Sequence, residues 1–144
     1  MIQAILNRLA LVDGARVREG FYQHSIAKEA KFIFLQPYTD TFSGRNGNDQ
    51  YKEDLVLQVV AGIKLTGSDT PTADLTDLVH RIRTALYAKQ RDTNKPDWVT
   101  SVIPIISFSE PEPCKYIMPE AHEKHGLAVI TLSISTTLKF GELL

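Results

Sequence analysis

One cysteine, Cys114, stands among 144 residues, so no disulfide can close within the chain and nothing points to an oxidising compartment. Net charge is nearly absent too: 16 Lys and Arg against 17 Asp and Glu leave −1 with neutral histidines. A domain that grips free nucleic acid needs surplus cations to neutralise phosphates, so free DNA is not the default partner. No apolar run approaches the length that crosses a bilayer. The opening "MIQAILNRLALVDG" does not read as a signal peptide, because Asn7 and Arg8 interrupt its apolar stretch and no small-residue cleavage site follows. The expectation is a soluble chain of the cytoplasm with no membrane partner.

Catalytic signatures are also missing. There is no G-x-S-x-G elbow, and "TFSGRNGND" has two glycines without Walker spacing or a following lysine. Glu120, His122, Glu123 and His125 form H-E-x-H, not the H-E-x-x-H that sets two imidazoles and a Glu base on one helical face. On a helix His122 and His125 would still share a face, which leaves weak zinc binding as the alternative to a solvated polar turn. His24 and His80 are single, and Cys114 beside Lys115 has no His or carboxylate at a recognisable spacing. The expectation is therefore no enzyme, no cofactor and no resident metal.

What is present is an ordinary composition, 43% hydrophobic and 23% charged, in a chain of one-domain length (1–144). Ile2, Ile5, Leu6 and Leu9 recur at helical spacing, and Asp13-Gly14 supplies a stop, which predicts a helix over 2–12. "TPTADLTDLVHRIRTALYAK" predicts a second helix: Thr70 as N-cap, Pro71 at the first position, and a stripe of Leu75, Leu78, Val79, Ile82 and Leu86. Asp77 and Arg81 form a surface pair at i, i+4.

"KFIFLQ" and "DLVLQVVAGIKL" read as strands. "LAVITLSISTTLKF" alternates strictly, with Ile130, Leu132, Ile134, Leu138 and Phe140 on one face and Thr131, Ser133, Ser135, Thr137 and Lys139 on the other. "WVTSVIPIISF" is β-rich, and Pro104 marks it as an edge or a bulge. Residues 15–30 show no period. The order is α-β-β-α-β-β: an α+β domain with two main helices on one face of a mostly antiparallel sheet of about four strands, carrying a long β-hairpin arm.

Asn46-Gly47 is a hairpin signal, since a type I′ turn needs φ > 0 at both central positions. A two-residue turn there pairs Phe42 with Tyr51, Tyr38 with Leu55, Phe34 with Val59 and Phe32 with Ala61, all on the face that the second strand buries. It also sets Asp40 against Glu53, a like-charge contact that asks for exposure, a bulge or a partner's cation. The reading is an arm whose tip, around Phe42, Arg45, Asn46, Gly47, Asn48 and Tyr51, docks a partner. A second long connection, Ser109–Gly126, is extended at Pro111 and Pro113, with a short helix bracketed by Pro119 and Gly126. Its Glu110, Glu112, Lys115, Tyr116, His122 and His125 form the second candidate docking loop, because long connections in small domains tend to be functional or disordered. The hydroxyl face of Thr131, Ser133, Ser135, Thr137 and Lys139 is either the solvent side of a sheet or the wall of a water-filled channel.

The helix "IQAILNRLALV", the strands "KFIFLQ" and "DLVLQVVAGIKL", the helix "ADLTDLVHRIRTALYA" and the closing "GLAVITLSISTTLKF" together resemble the tail terminator (tail-completion) proteins of long-tailed bacteriophages and related phage-tail-like particles. The resemblance covers most of the chain as a pattern of elements, without a short diagnostic motif. It implies a non-enzymatic virion assembly protein, one subunit of a hexameric ring that caps the tail tube and stops its polymerisation. The ring would offer a surface to a head-completion or neck protein. Its partners would be copies of itself, the tube protein and the neck protein, with DNA only passing through the ring lumen. It would act in the host cytoplasm during assembly and then in the virion. Two other readings stand beside it. One is another head–tail connector or a small ligand- or peptide-binding module, which predicts a concave apolar pocket. The other is a small hydrolase using His122, His125 and Cys114.

Overall fold

A computed structural model describes residues 1–45, 51–88, 96, 98, 105–120 and 123–138. Two helices, α1 (Ile2–Leu9) and α2 (Pro71–Tyr87), cover one face of a sheet. Its strands are β1 (Arg16–Glu19), β2 (Lys31–Arg45), β3 (Tyr51–Lys64), β4 (Ile105–Ser109), β5 (Lys115–Ile117) and β6 (His125–Leu138). The strand order is β1-β2-β3-β6-β4, and β5 pairs with β6 beyond the end of β4. All pairings are antiparallel except β1 with β2. The α+β class, the helix count and the mostly antiparallel sheet are as the sequence predicts; the sheet has six strands rather than about four.

Both helices form for the reasons their periodicity suggests. Ile5 and Leu9 of α1 are fully buried, as are Val79, Ile82 and Leu86 of α2, with Leu75 and Leu78 nearly so. These stripes meet Ile33 and Leu35 of β2, Leu57, Val59, Ala61 and Ile63 of β3, and Ile130, Leu132 and Ile134 of β6 in one continuous core. Burying a side chain of that size contributes about 1.5–3 kcal/mol, so this layer carries most of the stability. α1 ends three residues earlier than its periodicity predicts, and the chain turns at Gly14 with φ 76°. Thr70 makes no side-chain cap; its hydroxyl instead donates to Asp74, whose carboxylate also receives Ser68 at 2.5 Å beside the positive end of the helix. Asp77 and Arg81 pair at 2.7 Å on the exposed face, at the expected spacing.

The predicted register of the first hairpin is corrected. Phe32 pairs with Gly62 and Phe34 with Val60, one residue away from the expected partners. A one-residue shift moves every side chain to the other face. Phe32 and Phe34 therefore point away from the helices and build a second, smaller cluster with Ala27, Val60 and Leu127, lidded by Tyr22. The sequence "KFIFL" is apolar at both parities, so alternation could not choose between Phe32/Phe34 and Ile33/Leu35 for the main core. Gly62 decides it: a Cβ there would lie 2.1 Å from the tip of the Phe32 ring, so only glycine admits the ring across the strand.

The segment 15–30, without a period in the sequence, holds β1. It pairs in parallel with β2 over only four residues, Arg16–Glu19 against Phe32–Leu35. In the region Trp98–Phe108 the described strand is β4, from Ile105, and Trp98 belongs to the main core; residues 99–104 lie outside the described ones. The Trp98 indole N–H donates to the Leu86 carbonyl at 2.8 Å, satisfying an acceptor at the end of α2 that the helix leaves open. β4 is an edge strand with a register shift between Ile105 and Ser107, as an adjoining proline suggests; Pro104 itself lies outside the described residues.

Candidate functional site

At roughly 3.3 Å per residue, fifteen-residue β2 runs about 50 Å, whereas seventeen-residue α2 at about 1.5 Å per residue spans about 25 Å. The three long strands therefore outrun the helices, and their far ends project past the core. The projecting part is not the two-stranded arm expected: β6 accompanies β3 along its whole length, from Lys64–His125 to Tyr51–Leu138, and β4 flanks β6 from Ser133 to Thr136. A third strand is what a marginal ribbon needs to persist in water.

Along the projection the register of β2 shifts twice, between Pro37 and Thr39 and between Ser43 and Arg45. Asp40 consequently lies opposite Leu55, and Phe42 opposite Glu53. The expected direct contact of Asp40 with Glu53 becomes a diagonal one. It still matters: burial first, and then the Asp40 charge, push the Glu53 carboxyl above the usual range. Phe42 and Tyr51, also diagonal, stack with ring centroids 5.2 Å apart and planes at 23°. Phe42 keeps 51% of its surface exposed. Arg45 pairs with Tyr51, and the turn expected at Asn46-Gly47 falls among residues outside the described ones. Asn46, Gly47 and Asn48 lie outside the described residues, as do His122 and Lys139.

β1 covers the outer edge of β2 only as far as Leu35; from Gln36 onward no described strand flanks it. Pro37, which has no N–H to offer, and the adjacent bulge sit where this edge begins, the usual protection against indiscriminate pairing.

The face of the projection turned away from the helices is polar and mostly uncharged. Gln36 donates to Gln58 at 3.0 Å and accepts the Tyr22 backbone N–H at 2.9 Å. Gln58 in turn pairs with Thr131. Next come Ser133, then Ser135, whose hydroxyl donates to Asp54, and Thr137 beside Lys52. Thr131 and Ser135 are buried, so the outermost hydroxyls of this face are the half-buried Ser133 and Thr137. Gln36, Gln58 and Asp54 escaped the sequence reading because their membership depends on pairing across three strands. Thr136, on the opposite face, is buried with no hydrogen-bond partner for its hydroxyl.

The second connection is more ordered than expected. β5 lies along β6, with Lys115 opposite Val129 and Ile117 opposite Leu127. Among the described residues between Pro119 and Gly126 no helix forms: the Glu123 N–H donates to the Glu120 carbonyl at 2.9 Å, and β6 starts at His125. Glu110 is an anchor: Arg83 donates to both its oxygens at 2.7 and 3.1 Å, and the Tyr87 hydroxyl donates at 2.9 Å. Burial and this bond push the Tyr87 phenol well up. Glu112 and Lys115 make a looser surface pair at 3.7 Å. Tyr116 is half exposed, next to Ile117 and Met118, and with Leu65, Pro71 and Leu75 these rim an apolar cavity of about 290 Å³.

Among the described residues no three His, Cys, Asp or Glu side chains gather as a metal-ligand set. His125 sits in the sheet, with Nε2 2.8 Å from the Glu29 carbonyl oxygen and its ring edge-on to Phe32. Burial pushes the Cys114 thiol up, away from the thiolate that a reactive cysteine needs. No family model matches the chain, and a search of curated proteins finds no match.

Proposed function

We propose that the chain is a structural subunit of a tail-terminator-like ring, which caps a tube of stacked subunits and presents a surface to a neck protein. What supports this reading is the length of β2, β3 and β6, which outrun the helices, with an edge of β2 that β1 leaves uncovered beyond Leu35. Subunits that add strand to strand along such edges close a ring when the rotation between them is right. The face of Gln58, Ser133 and Thr137, whose charged members are Lys52 and a Ser135-bonded Asp54, suits a lumen through which DNA passes, since short neutral groups hydrate well and do not hold phosphates by ionic contact. The Phe42–Tyr51 stack offers a compact aromatic anchor for the tube or neck protein. The test is electron microscopy of purified tail tubes mixed with this protein. A ring at one tube end with elongation stopped is expected; tubes that stay bare and continue to lengthen would overturn the reading.

A second reading rests on the apolar cavity rimmed by Leu65, Leu75, Tyr116 and Met118: a module that binds an apolar peptide or ligand. It predicts tubes left bare and a monomer that binds at this cavity.

A further inference from the structure

We propose that the cavity at the opposite end of the sheet, on the face away from the helices, binds a small phosphate-bearing anion through Lys28, Lys64 and Lys124. Its volume is about 430 Å³. That falls within the range of small-molecule sites, about 300–1,000 Å³.

The three lysines come from three separate segments: the connection from β1 to β2, the last residue of β3, and the connection into β6. Main-chain bonds tie these segments together. The Lys64 N–H donates to the Ala30 carbonyl at 2.8 Å, and the Leu65 N–H to the Lys124 carbonyl at 3.0 Å. His125 Nε2 donates to the Glu29 carbonyl, which fixes the ring and leaves Nδ1 on its other side. Below the cavity Tyr22 stacks on Phe32, centroids 5.6 Å apart at 13°. The site is thus assembled by the fold before any ligand arrives, which lowers the cost of ordering it.

The charge balance is unusual for a chain that is nearly neutral overall. Glu29, next to Lys28, does not neutralise it, because Arg18 takes the Glu29 carboxylate. Among the cavity's described lining residues only Glu123 is acidic. Three ammonium groups against one carboxylate leave a local charge of +2 with neutral histidines. No described carboxylate forms an ion pair with Lys28, Lys64 or Lys124. Like charges around one cavity repel, and a multiply charged anion offsets that repulsion. The Tyr22 phenol, held protonated by burial and by Glu123, adds a donor, and the His24 and His125 imidazoles line the same wall. Lysine binds phosphate as a point charge, and three from different directions surround a tetrahedral group where a planar carboxylate would meet only one or two. An extended polynucleotide would need further cations along the surface, and the net charge of −1 provides no surplus.

Isothermal titration calorimetry of the full chain with inorganic tripolyphosphate, at low and at physiological salt, tests this. One saturable site per chain is expected, weaker at the higher salt. Lys28→Gln, Lys64→Gln and Lys124→Gln should each weaken binding about five- to tenfold, and the triple variant should abolish it. Lys52→Gln, at the far end of β3, should change nothing. Thermal unfolding is the companion measurement: tripolyphosphate should raise the midpoint of the wild type and leave that of the folded triple variant in place. The proposal fails if no saturable binding occurs, or if the triple variant binds as the wild type does. It also fails if Lys52→Gln weakens binding equally, or if a short single-stranded oligonucleotide outcompetes tripolyphosphate at the same lysines.

Discussion

Gly62 and Phe32 show how one missing side chain chooses a register. The ring of Phe32 lies where a Cβ of residue 62 would stand, packed between Tyr22 and Phe34. Gly62→Ala should therefore destabilise the fold by about 1–3 kcal/mol through overpacking, measured by urea unfolding. Phe32→Leu in the same chain should recover part of that loss, because the shorter side chain vacates the space; two independent, additive losses would show that the contact is not what excludes alanine. Sequence reading recognised both residues as strand residues and still paired Phe32 with Ala61. The information that separates the two registers is a steric exclusion between positions thirty residues apart, and a hydrophobic period does not contain it.

At the scale of elements, the helices and the sixth strand were legible, because one clean stripe or one strict alternation is a local property. β1 was not. Its four residues, Arg16–Glu19, contain one apolar side chain, and its place is held from outside: Val17 packs on the main core, while Arg18 lies 5.5 Å over the Phe34 ring and pairs with Glu29. The Arg18 guanidinium, together with backbone N–H groups of Glu29 and Lys28, holds the Glu29 carboxyl down at about 2. A carboxyl depressed in the folded state contributes stability that is present above its unfolded value, about 4.3, and is lost as pH falls toward 2. Both partners are partly exposed, so the pair is worth about 0.5–1 kcal/mol. Glu29→Gln should cost that much at pH 6–7 and only a fraction of it at pH 2, where the folded carboxyl is already about half protonated, by unfolding at the two pH values. A deficit that persists unchanged at pH 2 would mean that the loss lies in packing and not in the ion pair.

The whole molecule divides into two ends with different chemistry. The projecting end carries Phe42, Tyr51, Asp40, Glu53 and a hydroxyl and amide face with Asp54 and Lys52 on it; the other end carries Lys28, Lys64 and Lys124 around a cavity. Replacing Phe42 and Tyr51 with Ser should leave the fold intact, since both lie beyond the helix-covered core, while abolishing capping of tail tubes. Circular dichroism and electron microscopy together read this. Normal capping by the double variant would remove the aromatic pair from the docking surface. Unfolding would place it in the stabilising part of the sheet.

Local pattern was enough to specify two amphipathic helices, the long strands β2, β3 and β6, an α+β class, and an aromatic pair near the tip of a long hairpin. Each of these rests on spacing within a dozen residues, where side-chain period and backbone geometry are the same fact. The packed chain alone decided which parity of "KFIFL" faces the helices, that the arm has a third strand, that Glu110 is an anchor for its loop, and that three lysines line one cavity. Those outcomes depend on which residues far apart in sequence compete for the same space, and only the closed sheet sets that competition.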